Sequence, residues 1–546
     1  MSKASISTLD YQTRSWQQLG VYPPLVRDYL LGAPQLEPFY RYAPTHSGLL
    51  QACEARSQIA VNREVLVQAL NRQYEAMDAS FSARQTSREV LHNLEALRDE
   101  QTLTVTTGHQ LQLFGGVHFF WYKLVDTILL ARQLQQERGG KKVVPVFWMA
   151  SEDHDFEEIR RIDMEGTTWE WQSEQYYGQA VGRLNPAELE GLLEQLRQRL
   201  AISQHGEFLS DWLEAAHLNQ PTYALAYRQL VHQMLGRYGI VILDADDPML
   251  KAQAKKLFTA DVLDQHIGQA VTSQSASLAA LGYKTQVTAR PVNQFIHHKQ
   301  GRQRLVAEGG YFTLHEATSN KWSPREMEDT IDKQPELFSP NVITRPILQE
   351  LLLPNVAYFG GPSEVAYWLQ LKAAFEALDV FFPVVMPRNS AFWLSGNTRR
   401  KLSQLALPPE AFFQNVERLK AHFLEDQPEV QAFYQQWYPA RNAAEALHAE
   451  SEKLPEELKK VAGSEVQKAL HQLDTAAIRL RRRARQQHSV ALNRFEQVSQ
   501  ALFPGGMPQE RAESFLPYYR TFNDRYFQTL LEAFDPLSRD PYFFNA

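Results

Sequence analysis

Residues 143–155 read VVPVFWMASEDHD, and this stretch decides the fold class. Its first eight residues are nearly all apolar, as expected for a parallel strand that is covered on both faces. Polar residues follow directly, from Ser151 to Asp155. Open α/β sheets bind their ligands at the carboxyl ends of their strands. The stretch therefore predicts a buried strand over 143–150 and a polar site immediately after it.

The pattern of strand, loop and helix occurs three more times along the chain. LTVTT (103–107) precedes a glycine loop and an apolar-periodic run over 118–136; IVIL (240–243) and VAYF (356–359) also end in polar or glycine-rich loops before helices. Strands that alternate with helices imply a doubly wound, mostly parallel sheet. The predicted fold class is therefore α/β.

The length of 546 residues predicts two or three domains, because single domains usually run to about 100–200 residues. We expect a core over 1–390, with a helical insertion at about 165–235 and a small β-rich insertion at about 280–335. A helical coiled-coil arm follows over 391–505, and a tail over 506–546 packs back on the core. The spacing of four and three residues predicts a coiled-coil seam at Val466, Leu470, Leu473, Ala477, Leu480, Ala484, Gln487 and Ala491. Its expected partner is the helix near 409–426 or the helix near 429–449.

Composition argues against several classes of protein, namely membrane proteins, nucleic-acid binders and proteins with disulfides or cysteine-rich metal sites. Neither a leader peptide nor a run of about 18 apolar residues is evident, which predicts a cytoplasmic protein without a membrane span. The net charge of −7 argues against a mainly electrostatic nucleic-acid binder, and we interpret RLRRRAR (479–485) as a solvated helix face. Cys53 is the only cysteine, which excludes an internal disulfide and a cysteine-rich metal site.

The first candidate constellation is the loop after LTVTT, with Gly108, His109, Gln110 and the pair Gly115–Gly116. A strand-to-helix loop of this kind favours an anion, since free backbone N–H groups and the helix dipole point at it. Lys123, one to two turns into the following helix, could pair with the same anion. A purely structural glycine turn is equally consistent with the sequence.

The second constellation is Glu152, Asp153, His154 and Asp155. One of these carboxylates could orient an amine or accept its proton, with His154 or His109 assisting. Asp155 could instead simply cap a helix. A metal site is disfavoured because adjacent residues of an extended strand point to opposite faces, and we predict none.

The third constellation begins at the pair Gly360–Gly361, again where a strand end opens a helix. Glu364 and Tyr367 lie in that helix, and Arg345 precedes the strand. Arg388 would bring a fork suited to a carboxylate. Two glycine loops at neighbouring strand ends would face a single crevice.

With TTGHQLQLFGG, the lysine of WYK, PVFWMASEDHDFEEI, YFGGPSEVAYW and LFPGGMPQER, the chain resembles the cysteine-adding BshC family of bacillithiol biosynthesis nearly end to end. WMASEDHDFEEI is the most specific of these elements. The resemblance implies a Rossmann-like core with connecting insertions and a coiled-coil domain that mediates homodimer formation. It also implies a ligase that joins the cysteine carboxyl to the amine of glucosaminyl-malate, as the last step in making bacillithiol.

Such a reaction requires an activated carboxyl and a neutral amine, so that an anion loop and a base are expected. The cofactor is unknown, with ATP or another nucleotide possible. We predict the catalytic residues His109, Glu152, His154 and Asp155. The predicted substrate-binding residues are Gly108, Gln110, Gly115, Gly116, Lys123, Trp148, Asp153, Arg345, Gly360, Gly361, Glu364, Tyr367 and Arg388.

Two other functions remain open from the sequence. One is a nucleotidyltransferase or class I synthetase-like enzyme that adenylates its substrate with ATP. The other is a non-catalytic dimeric scaffold that works through its coiled coil.

Overall fold

The computed structural model describes residues 9–316 and 319–546, which form two compact units. The first unit holds most of the chain, over Ser15–Ala391 and Glu513–Tyr542. The second holds Asp10–Arg14, Phe392–Ala512 and Phe543–Ala546. Most of the predicted tail therefore belongs to the first unit.

The strands, in chain order, are β1 (Tyr11–Thr13), β2 (Leu103–His109), β3 (Val143–Met149), β4 (Arg161–Met164), β5 (Thr167–Glu170), β6 (Val241–Asp244), β7 (Gln294–His298), β8 (Gly301–Glu308), β9 (Tyr311–Leu314), β10 (Lys321–Trp322), β11 (Phe338–Pro340), β12 (Asn355–Gly360), β13 (Val384–Pro387), β14 (Ala391–Leu394) and β15 (Tyr542–Asn545).

The helices up to the core's second insertion are α1 (Trp16–Leu19), α2 (Pro24–Leu30), α3 (His46–Arg56), α4 (Arg63–Asp78), α5 (Arg88–Ala96), α6 (His118–Glu137), α7 (Phe156–Ile159), α8 (Glu190–Leu200), α9 (Gln204–Leu218), α10 (Tyr223–Leu235), α11 (Pro248–Lys251), α12 (Lys255–Val262) and α13 (His266–Ala280). The later helices are α14 (Pro324–Lys333), α15 (Thr344–Leu352), α16 (Pro362–Trp368), α17 (Lys372–Ala377), α18 (Gly396–Leu405), α19 (Val416–Glu425), α20 (Pro428–Ser451), α21 (Glu456–Gln487), α22 (Ser489–Leu502), α23 (Gln509–Ala512), α24 (Leu516–Phe522) and α25 (Arg525–Ala533).

The first unit is built on a five-stranded sheet of order β13-β12-β2-β3-β6, in which every neighbouring pair is parallel. Side chains of β3 alternate between its faces, so that Val144 and Val146 pack in one hydrophobic core and Val143 in another. Covering helices on both faces explain why the strand is apolar throughout. The predicted α/β class with a doubly wound parallel sheet is confirmed.

The register of this sheet brings four strand ends to one edge. His109 pairs with Met149, and Met149 pairs with Asp244. On the other side of β2, Thr107 pairs with Phe359, one residue before Gly360. The loops that follow β2, β3, β6 and β12 therefore start from the same rim.

An antiparallel sheet of order β10-β9-β8-β7-β11 forms a second layer of the first unit, in the region where the sequence predicts a small β-rich insertion. Helices α8, α9 and α10 fill the predicted helical insertion. One helix expected after β12 is broken into α16 and α17. Gln370, at the break, is fully buried and its side chain accepts hydrogen bonds from the backbone amides of Gln286 and Val287.

The second unit is dominated by the long helices α20 and α21. Trp437 of α20 donates through Nε1 to the carbonyl of Leu473, and Arg441 pairs with Asp474 at 3.0 Å. Ala477 and Ala484 of the predicted seam are buried. The helix near 429–449 is therefore the seam's partner, as one of the two alternatives predicted. Within the described ranges, no helix is long and apolar enough to cross a membrane.

Candidate active site at the carboxyl edge of the sheet

Two groups of ionisable side chains lie at the carboxyl edge of the parallel sheet. The first combines residues at the ends of β2, β12 and β13 with Lys123 of α6 and Arg345 of α15. We call it the cation-rich cluster: His109, Lys123, Arg345, Glu364 and Arg388. The second combines residues at the ends of β3 and β6 with Arg183, with Lys251 of α11 and with two residues of β7 and β8. We call it the acid-rich cluster: Glu152, Asp153, His154, Arg183, Asp244, Asp246, Lys251, His297 and Arg302.

Glu364 is the only carboxylate that we include in the cation-rich cluster, and its two oxygens are both engaged. Lys123 forms an ion pair with Glu364 and donates to the Gly108 carbonyl at 3.1 Å. Tyr358 donates its hydroxyl to Glu364 at 2.8 Å, and the Gly361 amide donates at 2.7 Å. Burial would raise the pKa of Glu364, but the Lys123 ammonium and these hydrogen bonds outweigh burial and lower it. Glu364 is therefore a charged structural anchor.

Arg345 carries the clearest unsatisfied group of this cluster. Its Nη1 donates to Gln349 at 2.9 Å, and the guanidinium lies 5.3 Å from the ring centroid of Tyr358. Its Nη2 is buried and has no well-formed hydrogen bond among the described residues, although the Tyr367 side chain interacts with the same guanidinium. A methyl group added at Gly108 would lie 3.4 Å from Arg345 Nη1, so the glycine keeps space open beside the guanidinium. A buried donor without a partner favours an anionic ligand.

His109 is neutral in this setting. Burial, together with the Lys123 charge, lowers the pKa of His109 to about 3. Its ring centroid lies 5.1 Å from that of Phe119 and 5.2 Å from that of Phe120, and Nε2 is buried without a hydrogen-bond partner among the described residues. A histidine in this state can exchange hydrogen bonds with a substrate but binds a proton weakly.

Arg388 adds a third cation to the cluster. It is 5% exposed, and its guanidinium lies 4.9 Å from the ring centroid of Phe119. Among the residues that define the cluster, the three cations Lys123, Arg345 and Arg388 accompany one carboxylate, Glu364. The buried carboxyl groups of Asp126 and Glu350 interact with Arg388 and Arg345, respectively. A cluster with this many cations attracts a ligand that brings negative charge.

The acid-rich cluster contains its own compensating cations. Lys251 is completely buried, forms an ion pair with Glu152 and lies 3.0 Å from Asp246. Arg183 holds Asp246 through two hydrogen bonds, of 2.7 and 2.8 Å. Burial would raise the pKa values of Glu152 and Asp246, but the Lys251 ammonium leads the groups that outweigh it and lower both. Glu152 is consequently a weak proton acceptor.

Asp244 behaves differently from its neighbours. Its side chain accepts hydrogen bonds from Ser151 and from the Asp246 amide. Burial, reinforced by the negative charge of Asp246, raises the pKa of Asp244 to about 6. Its charge therefore changes close to neutral pH.

The ligand atoms of Glu152, Asp246 and His297 all lie within 4.8 Å of one another, which is the donor set of a possible metal site. The Lys251 ammonium already contacts both carboxylates, so that a positive charge occupies the place a metal ion would take. A metal would have to displace a fully buried ion pair. The geometry thus favours an internal cation over a bound one.

Asp153 connects the two clusters. Gln110, directly after β2, donates from its amide to Asp153 at 2.8 Å and to Glu158 at 2.7 Å. Burial would raise the pKa of Asp153, but Arg302 and the hydrogen bond from Gln110 outweigh burial and lower it. The Asp153 side chain remains 29% exposed, so it can meet a cationic substrate group.

His154 and Asp155 complete the predicted tetrad. His154 Nδ1 lies 2.8 Å from Arg302 Nη1, and its side chain is 36% exposed. Asp155 is exposed and caps α7, accepting a hydrogen bond from the Glu158 amide at 3.2 Å. The capping role weighed for Asp155 is therefore present. The catalytic assignments of His109, Glu152, His154 and Asp155 stay predictions.

The glycine loops differ from the anion cradles expected from sequence. Gly115 and Gly116 have φ values of +84° and +62°, and a methyl group at Gly116 would lie 2.0 Å from the Gln112 side chain. Beyond them, the first amide of α6, that of His118, donates to the Glu513 carbonyl of the tail. The loop is thus a structural turn, because tertiary contacts use the groups that an anion would need.

The second glycine loop is likewise internally satisfied, since the Gly361 amide donates to Glu364. Gly360 leaves room for the same residue, because a methyl group there would lie 2.7 Å from Glu364 Cβ. Tyr367 and Trp148 are 8% and 1% exposed and pack in the hydrophobic core. These positions shape the site without offering a surface to a substrate.

Several residues of the acid-rich cluster were not predicted from the sequence. Asp244 and Asp246 follow the predicted strand IVIL, and that placement was a usable signal. In the sequence, nothing distinguishes Lys251 from other lysines of predicted helices. His297 and Arg302 come from β7 and β8, and no local pattern connects them with residues 152–154. Only the folded chain brings them together.

Cys53 lies in a hydrophobic core of the first unit. Burial raises the pKa of its thiol to about 11. A thiol of this kind is not a nucleophile at neutral pH, which supports the structural interpretation of this residue.

Comparison with known proteins identifies relatives over the whole length. Residues 6–389 match the family model for the N-terminal Rossmann-like domain of bacillithiol biosynthesis BshC, and residues 391–543 match that for its C-terminal coiled-coil domain. The chain is 31% identical over 528 residues to a protein of Flavobacterium psychrophilum named "Putative cysteine ligase BshC", covering 96% of this chain and 97% of the relative. A protein of the same name from Flavobacterium johnsoniae is 32% identical over 532 residues, with 96% and 97% covered. One from Bacillus anthracis is 26% identical over 538 residues, with 96% of each covered.

Proposed function

Because this chain belongs to the BshC family of bacillithiol biosynthesis and is a ligase, we propose that it joins the carboxyl of cysteine to the amine of glucosaminyl-malate. In this proposal the reaction is the last step of the pathway and takes place in the cytoplasm. The amine attacks an activated cysteine carboxyl. A C–N bond forms, the C–O bond to the activating phosphoryl or adenylyl group breaks, this group leaves as phosphate or nucleoside monophosphate, and the proton lost by the amine passes to solvent.

One observation carries the proposal: a cation-rich cluster and an acid-rich cluster lie at one rim, and Gln110, the residue after His109 of the first cluster, donates a hydrogen bond to Asp153 of the second. Glucosaminyl-malate brings two carboxylates and an amine, and cysteine brings a carboxyl and an amine. Opposite charges at adjoining strand ends can hold two such molecules side by side. The reaction between them then becomes effectively unimolecular.

The malate carboxylates are assigned to the cation-rich cluster. Arg345 leads this assignment, because Nη2 is a buried donor that no described residue satisfies. A bidentate pair between a guanidinium and a carboxylate is the strongest contact of this kind. Lys123 contributes charge without direct contact, since Glu364 and the Gly108 carbonyl already take its ammonium.

The substrate amine is assigned to Asp153 in the acid-rich cluster. This carboxylate is kept ionised by Arg302 and Gln110 and is partly exposed, whereas Glu152 is held by Lys251. An ionised carboxylate attracts an ammonium group and lowers the barrier to placing the amine beside the carboxyl carbon.

Mass spectrometry of purified protein incubated with cysteine and glucosaminyl-malate tests the function. The reaction is run with ATP, with another nucleoside triphosphate and without nucleotide. We expect a product heavier than glucosaminyl-malate by one cysteine residue in at least one condition. Absence of any cysteine-dependent product in all conditions contradicts the proposal.

Arg345→Met and Arg132→Met form a matched pair for the same assay. Arg132 is an exposed arginine of α6, whose guanidinium lies over Tyr238, and it is outside both clusters. Product formation should fall sharply in the first variant and stay close to wild type in the second. Equal loss in both would mean that folding, and not substrate binding, explains the effect.

We also propose that the second unit forms a homodimer. Its helices expose apolar side chains without cover from the described residues, among them Leu447 (61% exposed), Leu458 (59%), Val461 (68%) and Ile478 (67%). A second copy of the same helix pair offers the same apolar surface, as a two-fold dimer requires.

The dimer is tested by light scattering coupled to gel filtration. Leu458→Glu combined with Val461→Glu should convert the dimer to a monomer at about 10 µM protein. Ile202→Glu, at an exposed apolar residue of the first unit, is the control and should leave the mass unchanged. A monomeric wild-type protein contradicts the dimer proposal.

A further inference from the structure

Arg302 is a buried arginine held in one orientation by the antiparallel sheet. Its Nε donates to the Ser339 hydroxyl at 2.8 Å and its Nη2 to the Pro340 carbonyl at 2.6 Å. The guanidinium lies 3.9 Å from the ring centroid of Phe295, on the neighbouring strand. With two donors engaged and one face stacked, the remaining Nη1 has a fixed direction.

Arg302 Nη1 points toward the ring of His154. Arg302 Nη1 and His154 Nδ1 are 2.8 Å apart, which is a hydrogen-bond distance. A guanidinium has five N–H donors and no acceptor, and it stays protonated in proteins. His154 Nδ1 must therefore be the acceptor, and the ring hydrogen must reside on Nε2.

The surrounding charges favour the neutral ring. Burial and Arg302 lower the pKa of His154, while Asp153, Asp155 and Glu316 oppose them only in part. A protonated imidazole would also carry hydrogen on Nδ1 and lose its bond to Arg302. The ring therefore presents a neutral N–H, and its 36% exposed side chain can bring this group to a substrate.

We infer that Arg302 fixes His154 as a neutral hydrogen-bond donor, whose Nε2–H stabilises negative charge on the cysteine carboxyl oxygen while the amine attacks. Arg302 is a positioning residue in this account. The inference rests on the proposed function and changes the role expected for His154, which no longer takes a proton from the amine. Donors aimed at developing oxyanions contribute about 10²–10³ in rate.

Nuclear magnetic resonance of protein labelled with ¹⁵N-histidine tests the tautomer without any assay of activity. The signals of His154 are those that disappear in His154→Gln. We expect the Nε2–H form in wild type between pH 6 and 8. Arg302→Met should remove this preference and raise the pKa of His154 toward the ordinary value of about 6.5. Lys299→Met removes an exposed cation from the turn between β7 and β8. It should change neither the tautomer nor the pKa of His154.

Two substitutions of His154 then separate a donor from a base. The side-chain amide of glutamine can place N–H near the Nε2 position, whereas that of asparagine reaches only the Nδ1 position. His154→Gln should retain ligase activity within about 10-fold, and His154→Asn should lose about 100-fold. The same Arg302→Met variant should lose activity comparably to His154→Asn.

The outcomes distinguish the two proposals. An Nδ1–H or doubly protonated ring at pH 7 in wild type overturns the inference, whatever the activity. Equal inactivity of the glutamine and asparagine variants, with an active wild type, also overturns it. Absence of cysteine-dependent product in wild type overturns the proposed function and leaves the tautomer measurement standing.

Discussion

The cation-rich and acid-rich clusters share one rim of one sheet, yet they treat buried charge in opposite ways. In the acid-rich cluster, Glu152 and Asp246 share the Lys251 ammonium, and Arg183 holds Asp246 from the other side. In the cation-rich cluster, Lys123 pairs with Glu364, and one buried donor of Arg345 has no hydrogen-bond partner among the described residues. The first arrangement pairs its carboxylates internally, although His297 Nε2 is also a buried atom without a hydrogen-bond partner among the described residues. The second leaves a buried cationic donor that a ligand carboxylate can use.

This difference predicts where a substitution acts. Removing one member of a closed ion-pair network leaves a buried charge without compensation, so stability should fall first. Removing a donor reserved for a ligand leaves the folded protein nearly unchanged, so substrate binding should fall first. Four substitutions test this contrast, in order of decreasing effect.

Lys251→Met should have the largest effect. It leaves Glu152 and Asp246 facing each other without their buried cation, and we expect a loss of about 3–5 kcal/mol in the free energy of unfolding. Urea denaturation followed by tryptophan fluorescence measures it. Lys255→Met, at a half-buried lysine four residues later, should cost less than about 1 kcal/mol. A stability unchanged by Lys251→Met would show that the network is not closed.

Arg345→Met should raise the KM for glucosaminyl-malate about 100-fold, because a charged hydrogen bond contributes about 1.5–3 kcal/mol. The free energy of unfolding should change far less than in Lys251→Met. Steady-state kinetics with each substrate varied in turn measures the KM, and urea denaturation measures the free energy of unfolding. An unchanged KM for glucosaminyl-malate together with a raised KM for cysteine would assign Arg345 to the other substrate.

Asp244→Asn should stabilise the protein at high pH. The folded pKa of Asp244 is raised to about 6, so its unfavourable contribution is absent below the unfolded value of about 3.9, grows between the two values and is complete above about 6. We expect a gain of up to about 2 kcal/mol at pH 8 and little difference at pH 4. Urea denaturation at the two pH values provides the measurement, and equal effects at both would contradict the raised pKa.

Gln110→Met should have the smallest effect. It removes the hydrogen bonds to Asp153 and Glu158, and a single bond of this kind to a charged group contributes about 1.5 kcal/mol or more. We expect kcat/KM to fall about 10-fold, with a smaller loss of stability than in Lys251→Met. Gln133→Met, at an amide on the far end of α6 that pairs with Glu137, is the control. Equal rates in both variants would mean that the two clusters are not coupled through Gln110.

Much of the fold could be predicted from the sequence because each parallel strand has a recognisable local sequence pattern. The strands at 103, 143, 240 and 356 are short apolar runs followed by polar or glycine loops, and the structure has β2, β3, β6 and β12 there. The break between α16 and α17 could not be predicted. It depends on the contacts of Gln370 with residues more than eighty positions earlier in the chain.

The candidate site was predicted less completely. Arg345, Lys123, Asp153 and Gln110 lie at the rim as expected, since strand ends with polar residues can be recognised from sequence alone. The glycine loops look like anion sites in sequence. In the structure Glu364 accepts from an amide of the second loop, and the tail accepts from the first amide of the helix that follows the first loop. A sequence motif shows which chemical groups are present. Tertiary contacts decide which of these groups can still bind a ligand.

By itself the sequence determined the α/β class, the edge at which polar residues collect and the helical arm, because each is recorded in periodicity or in the residues that follow a strand. Tertiary structure alone decided which charges are paired: Lys251 with Glu152, Lys123 with Glu364, and Arg302 with His154. The reason is physical. Charge pairing depends on distance and burial, and both arise only when segments far apart in the chain pack against one another.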